Sequence, residues 1–242
     1  MDAIQIQHLT KKYRDVTAVN DLSLCIQQGE LFALLGVNGA GKTTTIKMLS
    51  GLTTPTEGDA ILLGRSIRTD STGAKAHIAV SPQETAVAPG LTARENLDLL
   101  CGIYGFPKPR REEKIRELTA LLGLQEILNR KAGKLSGGWQ RRLSIAMALI
   151  SQPKILFLDE PTLGLDVIAR SELWDLIRAL KGKVTVILTT HYMEEAEALA
   201  DRIAIMKNGR LLLCDTPAQI LAQTGESNIE KAFLKVVKGE MG

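Results

Sequence analysis

The eight residues GVNGAGKT, from Gly36 to Thr43, decide the fold of this chain. They match the phosphate-loop pattern of Gly, four further residues and Gly-Lys-Ser/Thr, and they stand between an apolar run at 31–35 and a segment of helical pattern. Glycines in such a loop let successive backbone N–H groups point at one anion, and the N-terminus of the following helix adds partial positive charge. This order of strand, loop and helix predicts an α/β fold that binds phosphate groups.

The side chains of the loop suit the tail of a nucleoside triphosphate. Lys42 reaches the outer phosphates, and the hydroxyl of Thr43 is a ligand for Mg²⁺. The competing interpretation is an ordinary glycine-rich turn before a helix, but a random match in a chain of this length occurs on the order of once in a hundred. We therefore expect the phosphates to be bound by Gly36, Val37, Asn38, Gly39, Ala40, Gly41, Lys42, Thr43 and Thr44.

Two acidic residues follow a second apolar run, ILFL at 155–158. We expect Asp159 to hold Mg²⁺ through its coordination shell. Glu160, at the exit of the strand, is expected to polarise the attacking water as general base, a role worth roughly 10²- to 10⁴-fold in rate. Acidic residues after an apolar strand are usually loop surface, so this interpretation depends on the phosphate loop in the same chain.

The charge balance gives no sign of a nucleic-acid partner. Thirty Lys and Arg against 27 Asp and Glu leave a net charge of only +3. The charged run from Lys108 to Arg116 is interrupted by Glu112 and Glu113 and has no interleaved aromatic residues, so it predicts a solvated helix face.

The cysteines and the N-terminus favour a reduced, cytosolic compartment. Cys25, Cys101 and Cys214 are far apart and form no Cys-x-x-Cys pair. The first residues, MDAIQIQ, lack the basic flank and apolar core of a secretory signal. The longest apolar runs are far shorter than the roughly 20 residues that cross a bilayer, so we expect no membrane span in this chain.

Hydrophobic patterning predicts a sheet with helices on its faces. Alternation at Ile4 and Ile6, and again from Leu22 to Ile26, indicates antiparallel strands in the N-terminal region. Apolar runs at 31–35, 155–158, 184–188 and 203–206 are typical of parallel strands buried on both faces, and helical patterns at 166–180 and 192–200 separate the later ones.

The middle of the chain predicts a helical subdomain inserted between core strands. Thr92 and Glu95 have capping-box spacing at the start of one helix, and helices are expected at 112–122 and 138–150. The expected single domain thus has a catalytic core at 1–90 and 152–225, a helical subdomain at 91–151 and a C-terminal helix at 226–242.

A second glycine-rich segment, LSGG at 135–138, precedes the strand of Asp159 and Glu160. Ser-Gly-Gly alone is usually an N-cap and turn, but at a helix start it can also bind an anion. Together with the phosphate loop, it resembles the signature motif of ABC (ATP-binding cassette) transporter ATP-binding subunits. The resemblance implies a P-loop NTPase fold and ATP as the nucleotide, with the γ-phosphate of the other protomer's ATP bound by Ser136, Gly137 and Gly138.

That resemblance implies a head-to-tail homodimer, or pairing with a similar ATPase subunit, with two ATP molecules in the interface. Three weaker positions follow the family order. Tyr13 would stack on adenine, Gln83 would meet Mg²⁺ or the attacking water, and His191 would contact the γ-phosphate. The segment 163–166 resembles the loop that crosses the dimer interface.

One position departs from the family pattern. The signature usually continues with Gln, whereas this chain has Trp139, so a contact of that side chain with ribose is in doubt. The phosphate contacts of Ser136 and the glycine N–H groups need no glutamine. We expect Arg141 and Arg142 to brace the helical insert rather than to touch ATP.

The resemblance implies a subunit that powers a separate membrane permease and lies peripherally on the inner face of the cell membrane. The segments 39–49 and 191–202 look most similar to exporter subunits for drugs, antibiotics, lipids or ions. An importer subunit and a non-transport ATPase of cofactor assembly are the alternatives. An inactive nucleotide-binding module is disfavoured because Asp159 and Glu160 are both present.

Overall fold

The computed structural model describes residues 1–240, which form two β-sheets and their covering helices. The strands of this part of the chain are β1 (Asp2–Tyr13), β2 (Val16–Gln27), β3 (Leu31–Leu35), β4 (Glu57–Leu62), β5 (Arg65–Ser66), β6 (Ile78–Ser81), β7 (Ile155–Asp159), β8 (Thr185–Thr190), β9 (Arg202–Lys207) and β10 (Arg210–Asp215). Its α-helices are α1 (Lys42–Leu49), α2 (Ser71–Lys75), α3 (Ala93–Ile103), α4 (Lys108–Leu122), α5 (Gly137–Leu149), α6 (Val167–Arg178), α7 (Met193–Leu199), α8 (Pro217–Thr224) and α9 (Ile229–Lys238). Single 3₁₀ turns lie at Gln125–Ile127 and Ala132–Lys134.

The larger sheet has the strand order β10-β9-β3-β8-β7-β6. All its neighbours pair in parallel except β9 and β10, which are antiparallel. Every residue of β3, β7 and β8 is buried, as expected for strands with packed layers on both faces. The predicted mainly parallel, helix-covered sheet is thus confirmed.

The smaller sheet, of order β2-β1-β4-β5, is antiparallel. It confirms the N-terminal antiparallel region expected from the alternation of apolar residues. Strands β4, β6 and β10, and the two-residue β5, were not predicted. β4 has two fully buried residues, β6 has one and β10 has none, so these strands lack the continuous burial of the core strands.

Successive residues of β3 face two different hydrophobic clusters, because side chains alternate across a strand. Phe32 and Leu34 join the cluster beneath the antiparallel sheet. Leu31, Ala33 and Leu35 join the cluster that the helices cover. The parallel sheet is therefore the central layer of the fold. Because it is packed on both faces, the ends of its strands have fixed positions.

Helices α3, α4 and α5 all lie between β6 and β7, which are neighbours in the sheet. The predicted capping box is present: Thr92 Oγ1 accepts from the Glu95 N–H, and Glu95 accepts from the Thr92 N–H. The prediction for α4 was wrong at its start, which is Lys108 rather than 112. Pro109 is tolerated there because the first turn of a helix needs no N–H donor.

The C-terminal helix α9 buries Ile229, Phe233 and Val236 on one face, in the cluster that the helices of the core share. The last two residues of the expected C-terminal segment lie outside the described residues. Among residues 1–240, no helix combines the length and apolar composition needed to cross a membrane.

Candidate functional site

A cavity of about 600 Å³ lies where the parallel strands end at their carboxyl edge. Such an edge is the usual place for a ligand in an open α/β sheet. The cavity is lined by Val16, Thr17, Ala18, Asn38, Gly39, Ala40, Gly41, Lys42, Thr43, Thr44, Gln83, Glu160, Leu163, His191 and Asn208. It thus brings most of the predicted loop together with Gln83, Glu160 and His191, which are distant in sequence.

The loop reaches the N-terminus of α1 through Gly41, whose φ of 104° is in the left-handed region. A Cβ atom at this position would lie 2.5 Å from the carbonyl oxygen of Ala18, so only glycine fits. No side chain caps α1, and its first turn has no acidic residue. The first N–H groups of the helix therefore remain available to an anion.

Lys42 is buried and its ammonium group points into the loop. Nζ donates to the carbonyl oxygen of Gly36 at 2.7 Å and lies 3.3 Å from Glu160 Oε1. Gly36 and Val37 thus contribute through their backbone, although they do not line the cavity. The ammonium is positioned to meet a phosphate group that the loop binds.

Asp159 is buried behind the loop, next to Thr43. Its Oδ1 accepts from Thr43 Oγ1 at 3.1 Å and from Thr189 Oγ1 at 2.6 Å. A carboxylate and a hydroxyl in contact are hard oxygen ligands of the kind that Mg²⁺ prefers beside a phosphate. The donor set therefore fits a magnesium ion.

Glu160 has a φ of 50°, which is rare for a residue other than glycine. Its N–H donates to the carbonyl oxygen of Thr189 at 3.2 Å and to the Oγ1 of Thr189 at 3.0 Å. Its Oε2 lies 2.5 Å from Nδ1 of His191. Strained backbone is frequent where a reactive group must be aimed, and here it directs a buried carboxylate into the cavity.

The Gln83 segment is tied to helix α5 by Arg141. The buried guanidinium donates to the carbonyl oxygens of Pro82 at 2.6 Å and Gln83 at 2.5 Å. Burial lowers the pKa of Arg141, while the nearby carboxylates of Asp159 and Glu195 act to raise it. Arg142 instead pairs with Glu172 on α6. These arginines connect the inserted helices to the core.

Besides Gly36, Val37 and Asp159, which lie in or behind the loop, four predicted site residues do not line this cavity. Tyr13 is half-exposed at the end of β1, with the ammonium of Lys11 4.9 Å from its ring centre. Ser136, Gly137 and Gly138 lie at the start of α5, where the Ser136 hydroxyl does not cap the helix. The described chain therefore does not bring the signature segment to its own phosphate loop.

Sequence reasoning missed Thr189, which holds both Asp159 and Glu160, and the cavity wall formed by Val16, Thr17, Ala18 and Asn208. The position of Thr189 just before His191, at the end of an apolar run, was a usable signal. The sequence gives no such signal for the wall residues, because they reach the loop only through the packing of β2 and the turn after β9.

Residues 19–163, more than half of the chain, match the family model described as ABC transporter. The chain belongs to the ABC transporter family. ABC ATP-binding domains are ATPases, and this chain is a domain of that class. The resemblance inferred from the signature and phosphate-loop residues is thereby confirmed.

Relatives of this ABC domain include exporter proteins. It is 38% identical over 240 residues to the Probable multidrug ABC transporter ATP-binding protein YbhF of Escherichia coli, covering 97% of this chain but 41% of the relative. It is 40% identical over 220 residues to the Nod factor export ATP-binding protein I of Burkholderia lata, covering 90% of this chain and 72% of the relative. The chain thus spans less than half the length of YbhF.

A solved structure supports the same assignment. The dimeric post-hydrolysis state of an ATP-binding cassette bound to ADP and Pi matches this ABC domain with a TM-score of 0.78 at 28% identity. The match covers 88% of this chain and 98% of that one. The P-loop NTPase fold expected from the sequence is confirmed.

Replacing Lys42 with Ala removes the ammonium that lies in the loop cavity. We expect ATP affinity to fall about 10- to 150-fold, because a hydrogen bond from a charged group contributes about 1.5 to 3 kcal/mol. Calorimetric titration with ATP measures this change. The control is Lys47→Ala, since Lys47 is exposed on the same helix. Equal ATP affinity in the two variants would contradict the assignment of the loop.

Proposed function

We propose that this chain is the ATP-binding and ATP-hydrolysing subunit of an ABC transporter and powers a separate membrane permease. The observation that carries the proposal is the convergence of Lys42, Glu160 and His191 in one cavity at the N-terminus of α1. Binding of phosphates and activation of water both need these groups within reach of one another.

The proposed chemistry divides among the residues of that cavity. The backbone of the loop and Lys42 bind the phosphates of ATP. Thr43 and Asp159 hold Mg²⁺, with Gln83 near the metal or the water, and the ion supplies charge stabilisation to the phosphates when it is bound. Glu160 orients the water and takes its proton as general base, and His191 contacts the γ-phosphate while it fixes the carboxylate.

Two copies, or this chain and a similar ATPase subunit, are proposed to close head to tail around two ATP molecules. Ser136 and Gly137 are exposed, which leaves the start of α5 free to meet a second chain. The loop at 163–166 lies beside it, since a Cβ on Gly137 would be 3.6 Å from Leu165. Exposed Val37, Val167 and Ile168 add apolar surface for the same contact.

We do not propose that Trp139 makes the contact that a glutamine makes at this position in the family. Its ring packs against the buried cluster of the helices and lies 4.6 Å from the guanidinium carbon of Arg142. The proposed phosphate contacts therefore come from Ser136 and the N–H groups of Gly137 and Gly138. Tyr13 keeps its proposed role of stacking on adenine at the rim of the cavity.

A groove between the core and the inserted helices is proposed as the permease site. Its volume is about 410 Å³, and its lining includes Leu52, Pro82, Leu100, Tyr104 and Met147. Leu52 and Tyr104 are 71% and 51% exposed, so an apolar helix face of a partner would bury them. Pro82 precedes Gln83 directly, which gives the groove a short connection to the ATP site.

We further propose that residues 1–90 and 152–225 act as the catalytic core and residues 91–151 as the helical subdomain. The subunit would be cytoplasmic and peripheral at the inner face of the membrane, held there by its permease. Efflux is favoured over uptake because the names of YbhF and the Nod factor protein refer to multidrug transport and to export. An importer subunit and an ATPase of cofactor assembly are the alternatives.

Changing Glu160 to Gln removes the proposed base but preserves the shape of its side chain. We expect nearly unchanged ATP affinity, turnover lower by roughly 10²- to 10⁴-fold, and a stable ATP-bound dimer. Phosphate release and size-exclusion chromatography with ATP measure the two effects. The matched control is Glu197→Gln at an exposed position. Hydrolysis by Glu160→Gln at the wild-type rate would show that another group activates the water.

Placing a charge in the groove is expected to release the permease. We predict that tagged wild-type chain, purified from detergent-solubilised host membranes, retains a protein with several membrane spans, and that Leu52→Asp or Tyr104→Asp loses it. Leu234→Asp is the control, since Leu234 is exposed on α9, away from the groove. Equal retention by all variants argues against this groove, and a purely soluble partner favours the cofactor-assembly alternative.

A further inference from the structure

Glu195 is a fully buried acidic residue that the proposed chemistry does not use. It lies on α7, four residues after His191, with a side chain at 0% exposure. Its Oε1 accepts a hydrogen bond from the indole Nε1 of Trp174 on α6 at 3.2 Å. No Lys, Arg or His among residues 1–240 forms an ion pair with it. A buried carboxylate without a cation is costly, and a proton removes that cost.

Two polar atoms around this carboxyl group lack hydrogen bonds. Both Glu195 Oε2 and Thr162 Oγ1 are buried without a partner in the described structure. The hydroxyl groups of Thr162 and Thr190 face the same carboxyl group. A proton on Oε2 lets this oxygen donate to Thr162 Oγ1, which pairs both atoms and leaves no charge in the interior, whereas a carboxylate that accepts from the hydroxyl would leave one.

The charges around Glu195 also favour the neutral acid. Burial is the main cause that raises the pKa of Glu195, and the carboxylate of Glu160 adds to it, while the nearby hydroxyl groups of Thr190 and Thr162 and the indole N–H of Trp174 act to lower it. Arg141 on α5 is the cation that faces it, but its guanidinium is engaged by backbone carbonyls. On α6, Arg170 lies over the ring of Tyr192 and points to exposed Glu194.

We propose that Glu195 is a positioning residue, protonated at neutral pH, that ties α7 to the turn after Glu160 by donating to the hydroxyl of Thr162. Thr162 is two residues after Glu160, and Thr190 directly precedes His191. One neutral carboxyl group thus sets the relative positions of the proposed base and its histidine partner. The inference rests on the roles proposed for Glu160 and His191.

Glutamine at 195 preserves both contacts, because its amide oxygen accepts from Trp174 and its amide nitrogen donates to Thr162. We expect Glu195→Gln to keep kcat within about threefold of wild type. Glu195→Ala is expected to lower kcat on the order of 10- to 100-fold with little change in KM, since displacement of a reacting group by about 1 Å has effects of that size. The control Glu194→Gln removes an exposed carboxylate from the same helix.

Infrared spectroscopy of the full chain at neutral pH tests the proton directly. The carbonyl band of a protonated carboxylic acid is expected in wild type and in Glu194→Gln, and is expected to be missing in Glu195→Gln. No loss of that band in Glu195→Gln, or a kcat for this variant as low as that of Glu195→Ala, would overturn the proposal. A kcat of wild-type size in Glu195→Ala would also overturn it.

These outcomes are distinct from failure of the proposed function. If Glu195→Ala does not fold, as judged by thermal melting, Glu195→Gln and its infrared spectrum still decide the question. If Glu160→Gln hydrolyses ATP normally, the base assignment fails, yet the infrared band continues to report whether Glu195 carries its proton.

Discussion

The parallel register of β3, β8 and β7 is the constraint on which the site depends. Leu35 pairs with Thr190, and Asp159 pairs with Thr189, so the three strands end level with one another. Whatever follows them must emerge at the same edge of the sheet. The phosphate loop, the acidic pair and the histidine therefore meet without any long connection, and the buried side chains of the strands keep this edge rigid.

Charge is concentrated at that edge with little solvent around it. Lys42 and Glu160 are both nearly inaccessible and lie within ion-pair distance, while Thr189 restrains the neighbouring Asp159. Buried charges that are paired and hydrogen-bonded hold their geometry, because loss of one partner leaves the other uncompensated. Arg141 extends the same arrangement to the inserted helices through the backbone of Gln83. A movement of these helices would therefore shift the backbone of Gln83 relative to the phosphate loop.

Much of the fold and part of the site were readable from the sequence. The phosphate loop is local, so its pattern, the strand before it and the helix after it all lie within one short segment. To predict that Gln83, Glu160 and His191 lie together, one must know the order of the strands in the sheet. The resemblance to the family implied that order, whereas the spacing of these residues along the sequence did not. Thr189 and Glu195 were missed because their importance comes from partners on other elements. The early start of α4 was missed because its first turn, Lys108 to Arg111, is charged and has no buried apolar residue to mark it as helical.

In the proposed dimer, each ATP is bound between the loop of one chain and the signature segment of the other. A mixture of Lys42→Ala chains and Ser136→Glu chains tests this shared site, since neither variant alone can complete a site. In a mixed dimer one site is intact, and half of the dimers are mixed. We therefore expect the mixture to recover about one quarter of wild-type ATPase activity. Activity of the mixture equal to the mean of the two variants, or wild-type hydrolysis by Ser136→Glu alone, would contradict the shared site.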